Sequence, residues 1–399
     1  MKKILITSLS DISKDSRVLK QAKTLINHNF FVITAGFNQL NLNSSNHIHI
    51  TITNKHTFKF LFLSLNRFYK NIENLIAVLN LHFIREIINP FLVDIKRKLK
   101  GIDFDLIISN DLLTLPATLY LSENKKPIIL DLHEYFPEEF TDNFRWLLKQ
   151  KNFYLYLLKK YRKELKKINL ITVNESIANL YKQNFGLDNF TIIRNIPYYY
   201  NISPKNPQKD TIKLVHIGGA SKSRKLENMI ISFKYLKNNN LKFILDFYLI
   251  SNDIGSKKYL EYLKSIANSI SNQNNVINFL DPVKDEEIIP TLNSYDIGLA
   301  YMYPSNINNL YCLPNKFFQY IQARLAILSS PNPEMANLTK KYELGLVCKD
   351  YSPESLAKTL ELFNYENIIK FKENSNKAAQ TLSYESESQK LINLINSLI

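Results

Sequence analysis

Short apolar runs alternate with amphipathic segments along most of the 399-residue chain. A first helix is predicted by apolar residues at helical spacing: Val18, Leu19, Ala22, Leu25 and Ile26. The runs around it have strand length, and most are rich in Ile, Leu and Val, as expected for strands buried on both faces. This alternation predicts βαβ units and parallel sheets.

Two series of strands are predicted, separated by a polar segment. The first series is Ile4–Thr7, Phe31–Ala35, Ile48–Ile52, Asp105–Ser109, Pro127–Asp131 and Leu170–Val173. The second is Lys213–Ile217, Phe243–Ile250, Val276–Phe279, Asp296–Tyr301, Ala326–Ser329 and Leu344–Val347. Between them lies the sequence NISPKNPQKD at Asn201–Asp210, whose two prolines and polar composition predict a linker. The tail Lys377–Ile399 is predicted to be helical.

We therefore expect two Rossmann-like, doubly wound domains of similar size. The expected bounds are 1–200 for the first domain, 201–211 for the linker and 212–375 for the second domain. Residues 376–399 are expected to form a C-terminal helix that packs back on the first domain. Ligands of such folds bind at the carboxyl ends of the strands, so a cleft between the two domains is the expected site.

The composition is that of a globular protein, with 45% hydrophobic and 22% charged residues. Cys312 and Cys348 have no metal-binding or redox spacing, which favours a reducing cytosol. Lys2–Thr7 ends in polar residues with no small-residue cleavage site, so we interpret it as a strand and not as a signal peptide. No run approaches the ~20 apolar residues that span a bilayer.

The net charge of +15 is concentrated in two segments. Residues 55–100 contain nine Lys or Arg against three acidic residues, and residues 143–169 contain nine against one. Both include aromatic and aliphatic side chains: Phe58, Phe60, Leu61, Phe62, Leu63 and Phe68 in one, and Phe144, Trp146, Tyr154, Tyr156 and Leu157 in the other. Basic helices with an apolar face suit an anionic membrane surface, although ordinary helices with solvated lysines have the same composition. No nucleic-acid-binding motif is found, so nucleic acid is not an expected partner.

The segment Leu313–Tyr320, LPNKFFQY, combines a helix start with a basic side chain. Pro314 predicts the start of a helix, whose first-turn N–H groups attract anions. Lys316 adds a positive charge suited to a diphosphate, and Gln319 lies one turn further along. A capped helix with a solvated lysine explains the same spacing.

The same segment resembles the donor-binding motif of the family-four retaining glycosyltransferases, which have the two-domain GT-B architecture. Further segments resemble motifs of that family in the same order along the chain: Asp15–Gln21 (DSRVLKQ), Asn110–Ala117 (NDLLTLPA), Asp131–Glu138 (DLHEYFPE), Asn174–Ile177 (NESI), Arg194–Pro197 (RNIP) and Gly218–Glu227 (GGASKSRKLE). Together they extend over most of the chain.

The resemblance implies metal-independent, retaining transfer of a sugar from a nucleotide-sugar, most often UDP-linked with GDP next, and no cofactor. It implies a glycan or lipid-linked acceptor in cell-surface polysaccharide biosynthesis, at the inner face of the cytoplasmic membrane. The catalytic residues would be His133, Arg224 and Glu134. The donor site would comprise Gly218, Gly219, Lys222, Arg224, Lys225, Tyr311, Leu313, Pro314, Asn315, Lys316 and Gln319. The acceptor side would comprise Asp15, Arg17, Asp111, Asn174 and Glu175; for Asp111 a helix N-cap is an equally good interpretation.

The chain departs from the family pattern at three positions, two of which lie eight residues apart. Tyr311 and Gln319 stand where the family has glutamates, and Gly219 stands where it often has arginine. A non-catalytic GT-B subunit that binds nucleotide or a partner transferase is therefore an alternative hypothesis. A sugar-nucleotide epimerase is a more distant alternative, because it predicts a further pair of carboxylates that the sequence does not identify.

Overall fold

The structure is a computed structural model that describes residues 1–53, 75–123, 125–141, 144–237, 242–271 and 275–399. Contacts divide the chain into two compact units. The first domain comprises Met1–Arg194 and Ser388–Ile399, and the second comprises Asn195–Glu387.

The described residues of the first domain form a parallel sheet of seven strands in the order β3-β2-β1-β4-β5-β6-β7. The strands are β1 (Lys3–Asp11), β2 (Phe31–Phe37), β3 (His47–Thr51), β4 (Leu106–Asn110), β5 (Ile128–Asp131), β6 (Asn169–Thr172) and β7 (Phe190–Ile192). Its helices are Ser16–Asn27, His82–Ile88, Pro90–Leu99, Leu115–Ser122, Phe144–Trp146, Asn152–Lys160, Arg162–Leu165 and Glu175–Phe185.

The sheet of the first domain is buried on both faces, as its aliphatic strands require. One face packs against helix Ser16–Asn27, which contributes Val18, Ala22 and Leu25 to the core. Leu391 and Ile395 of the last helix lie in the same cluster. The expected return of the C-terminal helix to the first domain is therefore confirmed.

The second domain repeats this topology with a six-stranded parallel sheet, β10-β9-β8-β11-β12-β13, within its described part. The strands are β8 (Thr211–Gly219), β9 (Lys242–Ile250), β10 (Asn275–Leu280), β11 (Ile297–Ala300), β12 (Ala326–Ser329) and β13 (Gly345–Val347). The helices are Glu227–Ser232, Ile254–Ile270, Ile288–Leu292, Ile307–Tyr311, Asn315–Gln322, Pro333–Lys341, Pro353–Leu360, Tyr365–Thr381 and Tyr384–Asn396, the last of which ends in the first domain.

Both sheets have the strand order of the doubly wound dinucleotide-binding fold. The order reverses between β1 and β4 in the first sheet and between β8 and β11 in the second. Crevices beside the carboxyl ends of these strands are the expected ligand sites of such sheets. The predicted α/β architecture of two doubly wound domains is confirmed.

Two sequence predictions need correction. Strand β7 was not predicted, and the tail is not one helix over Lys377–Ile399. One helix ends at Thr381 and another begins at Tyr384. The chain turns at Leu382, whose side chain is buried, and the Tyr384 N–H donates to the carbonyl of Pro197, 2.8 Å away, instead of continuing the first helix.

Candidate functional site

A pocket of about 370 Å³ lies at the carboxyl ends of β8 and β9 in the second domain. It contains seven of the residues predicted to bind the donor: Gly218, Gly219, Arg224, Pro314, Asn315, Lys316 and Gln319. Its other lining residues are largely apolar: Ile217, Tyr248, Ile250, Pro282, Val283, Ile288 and Met302. The lining thus combines cationic and polar groups with apolar side chains that offer a surface for a flat or apolar group.

Two cationic side chains converge on the turn after β8. Gly218 has φ 141°, a conformation that favours glycine. A Cβ atom on Gly218 would lie 3.1 Å from Nη1 of Arg224 and 4.0 Å from Nζ of Lys316. Arg224 Nη1 also donates to the carbonyl oxygen of Gly219, at 3.2 Å. The absence of a side chain at Gly218 therefore leaves the space in which both cations meet.

Lys316 lies in the first turn of helix Asn315–Gln322 and is only 6% exposed. Its Nζ is 3.2 Å from Nε2 of His216, a fully buried residue of β8. Burial, with a further contribution from Arg224, lowers the pKa of Lys316 to about 7. Pro314 precedes the helix and supplies no side-chain cap, so the first N–H groups of the helix remain available to an anion.

The remaining residues predicted for the donor site do not line this pocket. Lys222 is exposed, and Nζ of Lys225 lies 4.2 Å from the ring centroid of Tyr303. Tyr311 ends the short helix Ile307–Tyr311, and Leu313 packs on the core of the second domain. Their contribution to donor binding stays a prediction.

In the first domain, polar side chains gather where β4 and β5 end. Asn110 pairs with Asp131 across these two strands, which brings the following residues Asp111 and His133 to the same edge of the sheet. His133 Nε2 is 3.7 Å from Asp111, and Nδ1 is 3.9 Å from Asp131. His133 is 31% exposed and Asp111 is 22% exposed, so a ligand can reach both.

Asp111 has a strained backbone, with φ 73° and ψ 144°. It precedes the short helical turn Leu112–Thr114, but its carboxylate makes no capping hydrogen bond to that turn. The helix-cap interpretation is therefore not supported. Strain at a non-glycine residue persists where the surrounding structure imposes it, and such residues cluster at functional sites.

Asp131 is fully buried and anchors this edge. Arg17 donates to both of its carboxylate oxygens, at 2.6 and 2.9 Å, and Gln21 donates to one of them at 2.8 Å. The third nitrogen of Arg17 donates to the carbonyl of Ile193 at 3.0 Å. Arg17 was predicted on the acceptor side, and the structure places it in this buried pair, behind His133.

His133 and the carboxyl groups around it shift one another's pKa values. Desolvation alone would lower the pKa of His133, but the carboxylates of Asp111 and Asp131 outweigh it and raise this pKa above its usual value. Burial raises the pKa of Asp111 and of Glu134, and His133 partly offsets both shifts. Burial, together with Glu134 and Asp111, raises the pKa of Glu139 to about 7. Burial thus favours the neutral form of these carboxyl groups, whereas the neighbouring carboxylates favour the protonated form of His133.

The other residues predicted for the acceptor side have mainly structural contacts. Asp15 caps helix Ser16–Asn27 by accepting from the N–H groups of Arg17 and Val18. Asn174 caps the helix that begins at Glu175, and Glu175 itself is exposed. Whether any of them meets an acceptor stays a prediction.

The fold is shared with several solved structures. Sucrose-phosphate synthase from Thermosynechococcus elongatus superposes with a TM-score of 0.72 at 11% identity, covering 100% of this chain and 99% of that chain. HepE from Anabaena, solved with UDP and glucose, gives 0.66 at 14% identity, with both chains covered completely. WaaG, a glycosyltransferase involved in lipopolysaccharide biosynthesis, gives 0.63 at 12% identity, covering 98% of this chain and 99% of that one.

The chain has the GT-B fold. This confirms the architecture that the sequence resemblance implied. At these identities the likeness establishes the fold alone, and no protein-family model or curated protein sequence matches the chain.

The two basic segments of this GT-B chain contact each other in the first domain. Glu86 accepts from Lys160 at 2.8 Å, and Arg85 donates to the side chain of Gln150 at 3.0 Å. Of the apolar residues predicted to face a membrane, Trp146, Tyr154 and Leu157 are buried, whereas Phe144 is 71% exposed. Residues 55–74, which include the predicted aromatic cluster Phe58, Phe60, Leu61, Phe62, Leu63 and Phe68, lie outside the described residues.

Additional apolar side chains near these contacts are exposed: Leu75, Val78, Leu79, Leu81, Phe83, Ile84, Ile87 and Val93. We call these residues, with Phe144 and Leu148, the apolar patch. No helix in the described part of the chain is both long and apolar enough to cross a membrane.

Three residues that shape the two sites were not identified from the sequence. His216 supports Lys316, Glu139 joins the carboxyl cluster, and Tyr181 fixes the loop that contains Glu134. The Tyr181 hydroxyl donates to the Glu134 carbonyl at 2.8 Å and accepts from the Phe136 N–H at 3.1 Å. Tyr181 follows Ile177 by one helical turn, so helical periodicity could have marked it as buried.

Proposed function

We propose that the protein is a glycosyltransferase that moves a sugar from a nucleotide-sugar to an acceptor. The observation that carries this proposal is the convergence of Arg224 and Lys316 on the turn at Gly218, beside the start of helix Asn315–Gln322. These groups supply positive charge and N–H donors at one point. Such an arrangement suits a diphosphate, and the GT-B fold of the chain agrees with it.

The reaction requires stabilisation of the departing nucleoside diphosphate. As the bond between the sugar and the phosphate breaks, negative charge grows on the phosphate oxygens. Arg224 and Lys316 would stabilise this charge by preorganised hydrogen bonds, which is the role that a metal ion has in other transferases. We therefore propose metal-independent transfer.

UDP is the proposed nucleotide. HepE, which has the same fold, was solved with UDP, with UDP-glucose, and with UDP and glucose. In this chain, Val283 and Ile288 line the same pocket as Arg224 and Lys316 and offer apolar surface on which a flat base can pack. Gln319 lines the same pocket and offers an amide to the ribose hydroxyls.

The first domain is the proposed acceptor domain. The buried polar atoms that have no hydrogen-bond partner among its described residues include Thr7 Oγ1, Asn110 Oδ1 and His133 Nδ1. The partly exposed side chains of Asp111, His133 and Glu134 provide the hydrogen-bonding groups that a polyhydroxylated ligand requires. We propose that His133 contacts the donor sugar and that transfer occurs with retention of configuration.

The test is a thermal-shift screen of the purified protein with UDP, GDP, ADP, CMP and their sugar conjugates, followed by a turnover assay with the nucleotide-sugar that binds. We expect UDP and a UDP-sugar to raise the melting temperature. Replacing Arg224 with alanine should weaken this binding by about 1–3 kcal/mol, because a charged hydrogen bond is lost. Binding of no nucleotide, or binding that is indifferent to Arg224→Ala, would contradict the proposal.

We further propose that the acceptor is membrane-bound and belongs to cell-surface polysaccharide biosynthesis, with the first domain docked on the inner face of the cytoplasmic membrane. The apolar patch supports this proposal, because basic residues such as Lys149 and Lys159 lie in the segment that adjoins it.

Vesicle co-sedimentation tests the membrane proposal. Phe144→Ser should weaken binding to anionic vesicles, and added salt should weaken it further. Ile254→Ser is the matched control, because Ile254 is 75% exposed but belongs to the second domain. Equal binding to neutral and anionic vesicles, or equal loss in both variants, would refute this docking mode.

A non-catalytic GT-B subunit is the second candidate function. It is favoured by Tyr311 and Gln319, which replace the two glutamates of the family that the sequence resembles. Such a subunit would bind nucleotide but release no nucleoside diphosphate from any nucleotide-sugar. Measured turnover above that of an Arg224→Ala control would exclude it.

A further inference from the structure

His216 lies two residues before Gly218 on β8 and is not among the residues that line the donor pocket. Its Nδ1 is 3.0 Å from the carbonyl oxygen of Leu299 on the neighbouring strand β11. A carbonyl oxygen only accepts hydrogen bonds, so Nδ1 must carry a proton. Burial holds the pKa of His216 well below its usual value, and the ring is therefore neutral. Nε2 consequently presents a lone pair.

That lone pair faces Lys316, whose Nζ is 3.2 Å away. One of the three N–H groups of the ammonium is thus used by His216, and two remain. The imidazole itself is held by the Leu299 hydrogen bond and by Phe247, whose ring centroid is 5.8 Å from that of His216. A flexible lysine side chain is thereby fixed at one point next to Gly218.

We propose that His216 is a positioning residue for the donor phosphates: its Nε2 holds the Lys316 ammonium beside Gly218, so that the two remaining N–H groups serve a nucleoside diphosphate. The inference rests on the proposed function, because it requires that the pocket binds a nucleotide. His216 acts through Lys316 and does not itself touch the ligand.

The surroundings of Lys316 make nucleotide binding depend on pH. The charged or titratable groups that face Lys316 are His216 from β8, Arg224 from the turn after it, and Cys312 from the segment before the helix. Burial and Arg224 lower the pKa of Lys316 to about 7, and Cys312 opposes this with a smaller effect. Above that pH the free protein carries neutral Lys316. Because a diphosphate favours the ammonium, its binding must take up a proton, and affinity must fall as the pH rises above about 7.

Calorimetric titration with UDP-glucose between about pH 6 and pH 9, in buffers of different ionisation enthalpy, measures both affinity and proton uptake. UDP-glucose is the suitable probe because its esterified phosphates do not titrate in this range. For the wild-type protein we expect uptake that rises toward one proton per nucleotide above neutral pH. Lys316→Met should abolish this uptake.

Two variants isolate His216. His216→Phe keeps an aromatic ring but removes the hydrogen-bond acceptor for the Lys316 ammonium. Loss of this acceptor favours the neutral form of Lys316. We expect about tenfold weaker binding at pH 8 and a fall of affinity that begins at lower pH than in the wild-type protein. His216→Gln retains a side-chain acceptor and should recover part of the loss. Circular dichroism and the melting temperature check that both variants are folded.

The outcomes separate this inference from the proposed function. If the wild-type protein binds UDP-glucose but His216→Phe has the same affinity and pH dependence, the positioning role is refuted and the proposed function stands. If His216→Phe lowers the affinity for UDP-glucose equally at every pH and leaves proton uptake unchanged, His216 is a packing residue and its positioning role is also refuted. If the wild-type protein binds no UDP-glucose, both proposals fail.

Discussion

Replacing Gly218 with alanine tests the geometry of the donor pocket directly. The new Cβ would occupy a backbone conformation with φ 141° and would lie 3.1 Å from Arg224 Nη1. Such strain costs about 1–3 kcal/mol, and the turn can relieve it only by moving the point on which Arg224 and Lys316 converge. Losing one charged hydrogen bond costs about 1.5–3 kcal/mol. We therefore expect UDP to bind about 10- to 150-fold more weakly.

Gly219→Ala is the matched control. A Cβ on Gly219 would lie 3.6 Å from the same Arg224 nitrogen, which is an ordinary contact, and its backbone needs no left-handed conformation. Calorimetric titration with UDP should therefore show near-normal affinity for Gly219→Ala and a large loss for Gly218→Ala. Equal affinity in the two variants, whether high or low, would refute the argument that the cations meet above Gly218.

Two further predictions concern the stability of the first domain and are measured by urea unfolding. Asp131→Asn leaves the buried charge of Arg17 without its carboxylate and should lower the free energy of unfolding by about 3–5 kcal/mol. Asp103→Asn, at an exposed ion pair with Lys3, should lower it far less. Similar losses in the two variants would contradict the assigned anchoring role of Asp131. Burial raises the pKa of Glu139 from 4.5 to about 7. The contribution of the protonated side chain to the free energy of unfolding is therefore fully present below pH 4.5 and is lost as the pH rises through about 7. The free energy of unfolding of Glu139→Gln should therefore rise by about 1–2 kcal/mol relative to that of the wild-type protein between pH 5 and pH 8. A difference that does not change over this pH range would contradict the raised pKa of Glu139.

The single tryptophan allows the unfolding of the first domain to be measured separately from that of the second. Trp146 is buried in the first domain, and its ring centroid lies 6.2 Å from that of Tyr154 and 6.1 Å from that of Phe140. Its fluorescence therefore reports the unfolding of the first domain and not of the second. A two-domain protein requires such a probe, because a single free energy of unfolding is defined only for one cooperative transition.

The sheets could be predicted from the sequence because their strands are buried on both faces. Such strands must be continuous aliphatic runs, and runs such as Ile4–Thr7 and Ala326–Ser329 stand out from their surroundings. Strand β7, Phe190–Ile192, has three residues at the edge of its sheet, none of them fully buried. So short and partly exposed a strand leaves no clear pattern, and it was missed.

The site could be predicted only where its residues are close together in the sequence. Gly218, Gly219 and Arg224 lie within one loop, and Lys316 marks a helix start. In the sequence, His216 only interrupts an apolar run. Its two hydrogen-bond partners, Leu299 and Lys316, lie 83 and 100 residues away along the chain. Spacing along the chain contains no information about such contacts.

The basic segments show another limit of sequence reasoning. An amphipathic pattern shows that one face of a helix is apolar, but not whether that face meets the core or a membrane. In the segment 143–169 the structure assigns Trp146, Tyr154 and Leu157 to the interior and leaves Phe144 exposed. The membrane proposal therefore depends on the exposed residues of the apolar patch and not on the aromatic content of the segments.

The two sheets share one strand order, but the side chains at their carboxyl ends are acidic in the first domain and basic in the second. In both sheets the polar groups collect at the carboxyl ends of strands next to the point where the strand order reverses. In the first domain the residues at that edge, Asp111, Asp131 and Glu134, are acidic and surround His133. In the second domain the edge carries Arg224 and Lys316. Carboxyl groups around an imidazole suit hydrogen bonding to hydroxyl groups, whereas paired cations suit phosphates. The chemistry of each site therefore follows from the side chains at its strand ends, because the two sheets share one strand order.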